Sequence, residues 1–500
     1  MKKKFPKSLT VSLCVVFGLF LFLFGARLIL PTPGITLLLP DVPLSENKTE
    51  GDGFDSPEDA VKAYLEGLRD GDLRRMMSAF AVESYAENFN LEAFIKRYAA
   101  YIPGMEIEPN ANEFVASLNV LNRRRNVTEM IMNQYLFLCG LGSDPSTNRL
   151  RIDRNRGRSM RDEADVSEFV GQFNKYLNEP EFNTIKITEL SMANDEHLSD
   201  DILENLQSGM AHTAECLGTG RLVSGSVAFS LDEKEFLMYC DAAEYGGKWY
   251  LARLGGVRGF LLAGGSITED GGTVNLTQEK GGSESGSTAS PAKTSVSGID
   301  FSRKLEGSGF NSPEAAVKAY LEGLRDGDLR RMMSAYAIES YVANLNLEAF
   351  LTVVRYLNHR QFASPPKANE FVASLSVERR RGQVANEILR CYFYLCDPSF
   401  DQNRFQSIKD EAQASEFVDR LNKSLNKSFH TIQFVKFASP VEPSGAYKRS
   451  LEQVTKARGA QQLIDNATAA FNLGGNEFIL ECGTVKYGGK WFLDYVREKR

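Results

Sequence analysis

The sequence predicts an α+β fold built twice in one chain, and three observations predict it. The segment SPEDAVKAYLEGLRDGDLRRMMSA, Ser56–Ala79, returns at Ser312–Ala335 with one change, Asp59 to Ala315. Further blocks recur in the same order: ANEFVASL at Ala111 and Ala368, YLFLC ending at Cys139 and YFYLC at Cys396, SEFV at Ser167 and Ser415, YGGKW at Tyr245 and Tyr487. Within each copy, helical apolar spacing comes first and β-branched or aromatic strand chemistry fills the last third. A unit of about 200 residues is far too long for a solenoid repeat, so the pattern is domain duplication.

The chain opens with Lys2, Lys3, Lys4 and Lys7 before an uncharged run from Leu9 to Ala26, LTVSLCVVFGLFLFLFGA. As a helix this run spans roughly 27 Å, close to the hydrocarbon thickness of a bilayer. The lysines favour a cytoplasmic start and place everything after Arg27 outside. Residues 1–30 therefore read as the single-pass membrane anchor of a bacterial protein, with a cleaved signal and secretion as the alternative. Phe24 and Ala26 would hold the positions where cleavage prefers small residues, which favours the anchor.

Residues 31–50 form a Pro-containing tether, and the first copy spans residues 51–256. Residues 257–306, rich in Gly, Ser and Thr, read as a flexible linker, and residues 307–500 hold the second copy.

In each copy the first helix has a Ser N-cap, Ser56 or Ser312, followed by Pro in the first helical position. Val61, Tyr64, Leu65 and Leu68 form its apolar stripe. Gly71 stops that helix and Asp72 caps the next, striped by Leu73, Met76, Met77 and Phe80. Helical pattern resumes at Leu91–Tyr98, Val127–Leu138 and Ser167–Leu177. NTIKITEL and HTIQFVKF begin the strand region, a further helix intervenes, and the last strands join through Gly246-Gly247, a pair suited to a primed hairpin turn.

The capped SPE-x-AVKAYLEGL-x-x-GD helix pair and the closing GGKW-aromatic hairpin resemble the nuclear transport factor two-like, or cystatin-like, superfamily. The resemblance covers about the first 40 and last 30 residues of each copy. It implies two cone-like domains, helices packed on a small, curved, mostly antiparallel sheet. It implies little about function, because that superfamily holds isomerases, dehydratases, hydrolases and non-catalytic binding domains.

A net charge of −7 argues against a dedicated nucleic-acid binder. The four histidines, His197, His212, His359 and His430, have no histidine counterparts in the other copy, and no His or Cys pair has ligand spacing in both. No cofactor or metal is expected. On the strands Asp241 answers Gly483, Glu244 answers Lys486 and Tyr239 answers Glu481, which weighs against one reaction shared by both copies.

Tyr64, Tyr85 and Trp249, with partners Tyr320, Tyr341 and Trp491, are candidates for a pocket lining or for core. Lys62, Arg74 and Arg75, repeated as Lys318, Arg330 and Arg331, are solvated helix-face charges or a partner face. Cys139 with Cys240, and Cys396 with Cys482, are candidate disulfides if oxidised, or buried thiols. Arg149, Arg151, Arg154, Arg156, Arg158 and Arg161 crowd one segment of the first copy, a solvated loop or a site for anionic polymer or lipid headgroups. The expectation is a membrane-anchored extracytoplasmic protein with two non-catalytic binding or scaffolding domains, engaging an envelope polymer or protein partner. A small-molecule isomerase, dehydratase or hydrolase working in one cone is the alternative.

Overall fold

The computed structural model describes residues 48–98, 100–101, 113–141, 143–144, 149–150, 162–192, 200–254, 267–268, 304–354, 369–397, 406–425, 429–440 and 444–499. The expected anchor, residues 1–30, lies outside them. Among the described residues no helix is long and apolar enough to cross a membrane.

The first copy begins with α1 (Pro57–Asp70), α2 (Leu73–Ser78), α3 (Glu83–Asn88) and α4 (Leu91–Tyr98). Strand β1 (Ala100–Tyr101), the long α5 (Glu113–Leu138), the paired β2 (Ser143–Asp144) and β3 (Arg149–Leu150), and α6 (Glu163–Leu177) follow. Then come β4 (Lys186–Met192), α7 (Asp200–Leu217), β5 (Arg221–Leu231), β6 (Lys234–Tyr245) and β7 (Lys248–Leu254), with β8 (Ile267–Thr268) beyond. The sheet order is β4-β5-β6-β7, all antiparallel, and β8 pairs with β6.

The second copy repeats this plan. Its elements are α8 (Pro313–Asp326), α9 (Leu329–Ser334), α10 (Glu339–Ala343), α11 (Leu347–Val354), α12 (Glu370–Cys396), β9 (Gln406–Ser407) and α13 (Glu411–Leu425). They continue through β10 (Gln433–Ala438), α14 (Gly445–Ala457), β11 (Gln462–Leu473), β12 (Asn476–Tyr487) and β13 (Lys490–Glu498), in the sheet order β10-β11-β12-β13.

Local chemistry builds these elements. Ser56 Oγ accepts from Asp59 N at 3.1 Å, Gly71 takes φ 65°, and Asp72 accepts from Arg75 N at 3.0 Å to start α2. Ser312, Gly327 and Asp328 do the same for α8 and α9. The apolar faces these caps create are filled by their own aromatics. Tyr64 and Phe80, both fully buried, meet edge-on at 5.7 Å, and Tyr320 and Tyr336 meet at 6.0 Å. Burial of the Phe80 side chain alone contributes about 1.5–3 kcal/mol.

Three segments read as tether or linker belong to the fold. Glu83 accepts from the backbone N–H of Thr49 and Glu50 at 2.7 and 2.8 Å, while Glu50 accepts from Val82 and Ser84 N at 2.9 and 2.8 Å. Glu306 and Glu339 repeat this reciprocal cap on α10. The paired carboxylates satisfy helix-end donors, which is why Lys48–Glu50 and Lys304–Glu306 are fixed. Ile267 and Thr268, also assigned to the linker, extend the sheet beside Met238 and Leu237.

The copies pack on one another. Helices α5 and α12 cross, and a Cβ on Gly382 would collide with Arg125, so Gly sits at the crossing. Arg124 pairs with Glu378 at 2.9 Å and Arg379 with Glu129 at 3.1 Å. The exchange is reciprocal further out: Ser167 of α6 donates to Glu348 of α11, and Ser415 of α13 donates to Glu92 of α4 at 2.6 Å. Strand β1 pairs with β9. Each apolar cluster draws on both copies: Tyr341, Leu347 and Val485 join Val61 and Tyr64, and Tyr85, Phe94 and Tyr245 join Tyr320 and Tyr336.

Candidate functional site

Each sheet carries a buried carboxylate beside half-exposed neighbours. In the first copy it is Asp241 of β6, 4% exposed, accepting from Ser224 Oγ at 2.6 Å and Arg253 Nε at 2.7 Å. Ser224, Asp241 and Arg253 sit opposite one another on β5, β6 and β7. Tyr239, two residues before Asp241, is an exposed aromatic.

In the second copy the equivalent of Asp241 is Gly483, yet the carboxylate is not lost. Arg221 and Gln462 pair with the equivalent Glu244 and Lys486, so three residues on, Asp465 takes the place of Ser224. Asp465 is also 4% exposed. It accepts from Tyr495 OH at 2.7 Å, Tyr447 OH at 3.0 Å and Asn466 Nδ2 at 2.9 Å. Tyr495 is the counterpart of Arg253, so the donor on the last strand has changed type and kept its job. Its ring lies over Gly483, where a Cβ would collide with it.

The geometry depends on a bulge between Ile464 and Ala467 that holds Asn466 at φ 58°. A bulge re-aims a side chain at a local backbone cost of about 1–3 kcal/mol for a non-Gly residue. Here Asn466 N donates to Tyr495 OH at 3.1 Å and Asn466 Nδ2 to Tyr447 OH at 2.9 Å, which offset that cost. Glu481 accepts from Arg497 Nε at 2.7 Å, and the Arg497 guanidinium lies 4.9 Å over the Tyr495 ring. Burial, with Asp465 beside it, pushes the Tyr447 hydroxyl up to about 12 and raises Tyr495 further. Both hydroxyls therefore stay protonated near neutrality and act as donors.

The sequence candidates fall elsewhere. Tyr64, Tyr85, Trp249, Tyr320, Tyr341 and Trp491 are all buried. Trp249 and Trp491 pair through their backbones with Phe54 and Phe310, fastening the segment before the first helix to the hairpin. The Arg123 guanidinium stacks 4.1 Å from the Tyr85 ring, and Arg380 stacks 4.0 Å from Tyr341. Lys62 bonds to Asp59 at 3.2 Å and Lys318 to Glu314 at 2.9 Å. Arg75 binds Glu66 and Asp70, and Arg331 binds Glu322 and Asp326, while Arg74 and Arg330 are half-buried. The helix face thus neutralises much of its own charge.

Of the two alternatives for the paired cysteines, Cys139, Cys240 and Cys482 are buried thiols, and Cys396 is half-buried. Cys139 lies against Leu177 O at 3.9 Å and Cys240 against Met192 Sδ at 3.7 Å, so each packs into its own apolar surroundings. Burial pushes the Cys240 thiol up to about 12, the state of an inert packed cysteine. Arg149 belongs to β3, paired with Asp144, and Arg151, Arg154, Arg156, Arg158 and Arg161 lie outside the described residues. Among the described residues no group of three His, Cys, Asp or Glu could hold a metal ion.

Sequence reading missed Asp465, Tyr447, Asn466, Tyr495 and Arg497. Comparing copies position by position set Asp241 against Gly483 and hid the shift of the acid to the neighbouring strand. The available signal was an Asp-Asn pair inside an otherwise strand-like run, QLIDNATAAFNL.

No protein-family model matches the chain, and no curated protein matches it. Among solved structures it is similar to a cystatin-like protein from Ruminococcus gnavus, at 11% identity, covering 87% of each chain with a TM-score of 0.51. The fold is cystatin-like. At this identity the likeness speaks for the fold alone.

Proposed function

We propose that this protein is a membrane-anchored, extracytoplasmic, non-catalytic scaffold, with two cystatin-like cones fused into one body that holds an envelope polymer or partner protein on its sheet faces. The observation that carries this reading is the filling of both cone interiors by their own aromatics, Tyr64 with Phe80 and Tyr320 with Tyr336. The polar groups that stay within reach of solvent then lie on the sheets, around Asp241 and Asp465. The apolar run after the N-terminal lysines supports the anchor. The test is protease treatment of intact cells, followed by co-sedimentation of the full-length protein with isolated envelope material. Cleavage from outside together with co-sedimentation is expected. Full protection of the chain, or no association with envelope material, overturns the reading.

A small-molecule enzyme is the second reading, favoured by the contact of Asp465 with two tyrosine hydroxyls. That constellation can move a proton. Turnover of a small carbonyl or hydroxy compound that disappears in Asp465→Asn would put this reading first.

A further inference from the structure

The second copy's sheet face has a composition that selects among ligands. Its two carboxylates are already hydrogen-bonded inside the cluster, which keeps one net negative charge, Asp465 and Glu481 against Arg497. Asp465 takes three donors, from Tyr447, Tyr495 and Asn466, and Glu481 takes Arg497. An anionic ligand would meet that excess negative charge, and a cation would have to displace a donor to reach either carboxylate. A cation would also find the Tyr495 ring occupied, because the Arg497 guanidinium already lies over it.

What the face offers instead is a fixed aromatic plate beside planar hydrogen-bonding groups. Tyr447 is 40% exposed, yet its hydroxyl is pinned at both ends, donating to Asp465 and accepting from Asn466. The ring is therefore held without further loss of side-chain freedom on binding. The bonds from Arg497 Nε and Nη2, and a long one of 3.5 Å from Tyr495, converge on Oε1 of Glu481. Glu481 and Arg497 thus place a carboxylate acceptor and a guanidinium donor on the face together. A carboxylate acceptor and a guanidinium donor are groups that hydrogen-bond sugar hydroxyls, and an exposed ring matches the C–H face of a pyranose. Ile479, 42% exposed and one strand row beyond Glu481, continues the face along β12.

We infer that this face is a binding site for a neutral saccharide chain, with one sugar stacked on Tyr447 and neighbouring hydroxyls bridged by Glu481 and Arg497. The inference rests on the scaffold reading and names the class of polymer. Asp465, 4% exposed, is the positioning residue that holds Tyr447 and Tyr495 in place. The first copy differs in kind, since Tyr239 stands where Glu481 stands and Arg253 where Tyr495 stands.

The experiment is calorimetric titration of the full-length protein with chitohexaose and cellohexaose, and with hexagalacturonate as the anionic comparison. Binding of at least one neutral hexamer, weak or absent binding of hexagalacturonate, and a loss of about tenfold in Tyr447→Ala are expected. Tyr239→Ala should bind as the parent does. A thermal melt of each variant separates lost binding from lost fold, and Tyr447→Phe, which keeps the ring, should retain more affinity than Tyr447→Ala. Absence of binding to both neutral hexamers, preference for hexagalacturonate, or an unaffected Tyr447→Ala each overturns the inference. If that happens while the protein still sediments with envelope material, the scaffold reading stands without its saccharide; if sedimentation also fails, both fall.

Discussion

Arg124 of the first copy reaches Glu378 of the second at 2.9 Å, and the glutamate is 3% exposed. Glu378 also binds Arg381 of its own helix. Burial opposes its charge, but the two arginines hold its carboxyl below the usual glutamate range. A buried ion pair adds little over an apolar substitute, whereas removing one partner strands the other. Glu378→Ala is therefore expected to cost about 3–5 kcal/mol in urea denaturation. Because the crossing joins the copies, both should unfold in one transition before and after the change. Two separate transitions in the parent protein would show that the crossing does not couple them.

The pH dependence has two parts of opposite sign. For Glu378 the folded pKa is depressed, so its contribution is present above the unfolded value near 4.5 and is lost as pH falls below it. For Glu306, burial and the neighbouring Glu339 push the carboxyl up to about 7. The folded state then keeps a proton that the unfolded chain releases, so stability falls as pH rises from about 4.5 through about 7. Denaturation midpoints across pH 4 to 8 should show that decline, and Glu306→Gln should flatten it. An unchanged slope in the variant would assign the decline to other groups.

The parts of the fold that were legible are those whose causes are local. Ser56, Pro57, Gly71 and Asp72 each act within one turn of their own position, and the glycine pair at 246–247 needs only its own φ angles, 57° and 77°. Helix α5 was legible only from Val127, because its first half breaks the stripe rule with NRRRN. Arg123 is covered by Ala81, Ala252 and the Tyr85 ring of its own copy, and Arg124 and Arg125 meet Glu378 and Gly382 of the other, contacts that no window of sequence contains. The acid site failed for a related reason. Its position is kept by strand register and a bulge, so the acid moved from one strand to its neighbour while the aligned residue became glycine.

One turn carries strain that its counterpart avoids. Between β5 and β6, Asp232 and Glu233 adopt φ 50° and 64°, whereas Gly474 and Gly475 fill the same turn between β11 and β12 at 59° and 83°. Asp tolerates this region better than Glu does. Glu233→Gly should raise stability by about 1 kcal/mol, read as a higher denaturation midpoint, despite the added freedom of the unfolded chain. Gly475→Glu should lower it by a similar amount. A loss of stability in Glu233→Gly would mean that the Glu233 side chain contributes more than its backbone costs.

Gly483 and Tyr495 should behave as a coupled pair. The ring crosses the sheet over Gly483 to bring its hydroxyl to Asp465, and any Cβ at 483 would occupy the ring's place. Gly483→Ala is expected to cost about 1–3 kcal/mol by displacing the ring and leaving Asp465 one donor short. With the ring already removed by Tyr495→Ala, the same substitution has nothing to displace and should cost much less. The double-mutant cycle in urea therefore predicts strong non-additivity between positions 483 and 495. Additive losses would mean that the ring does not lie over Gly483 in solution, and the support it gives to Asp465 and Tyr447 would go with it.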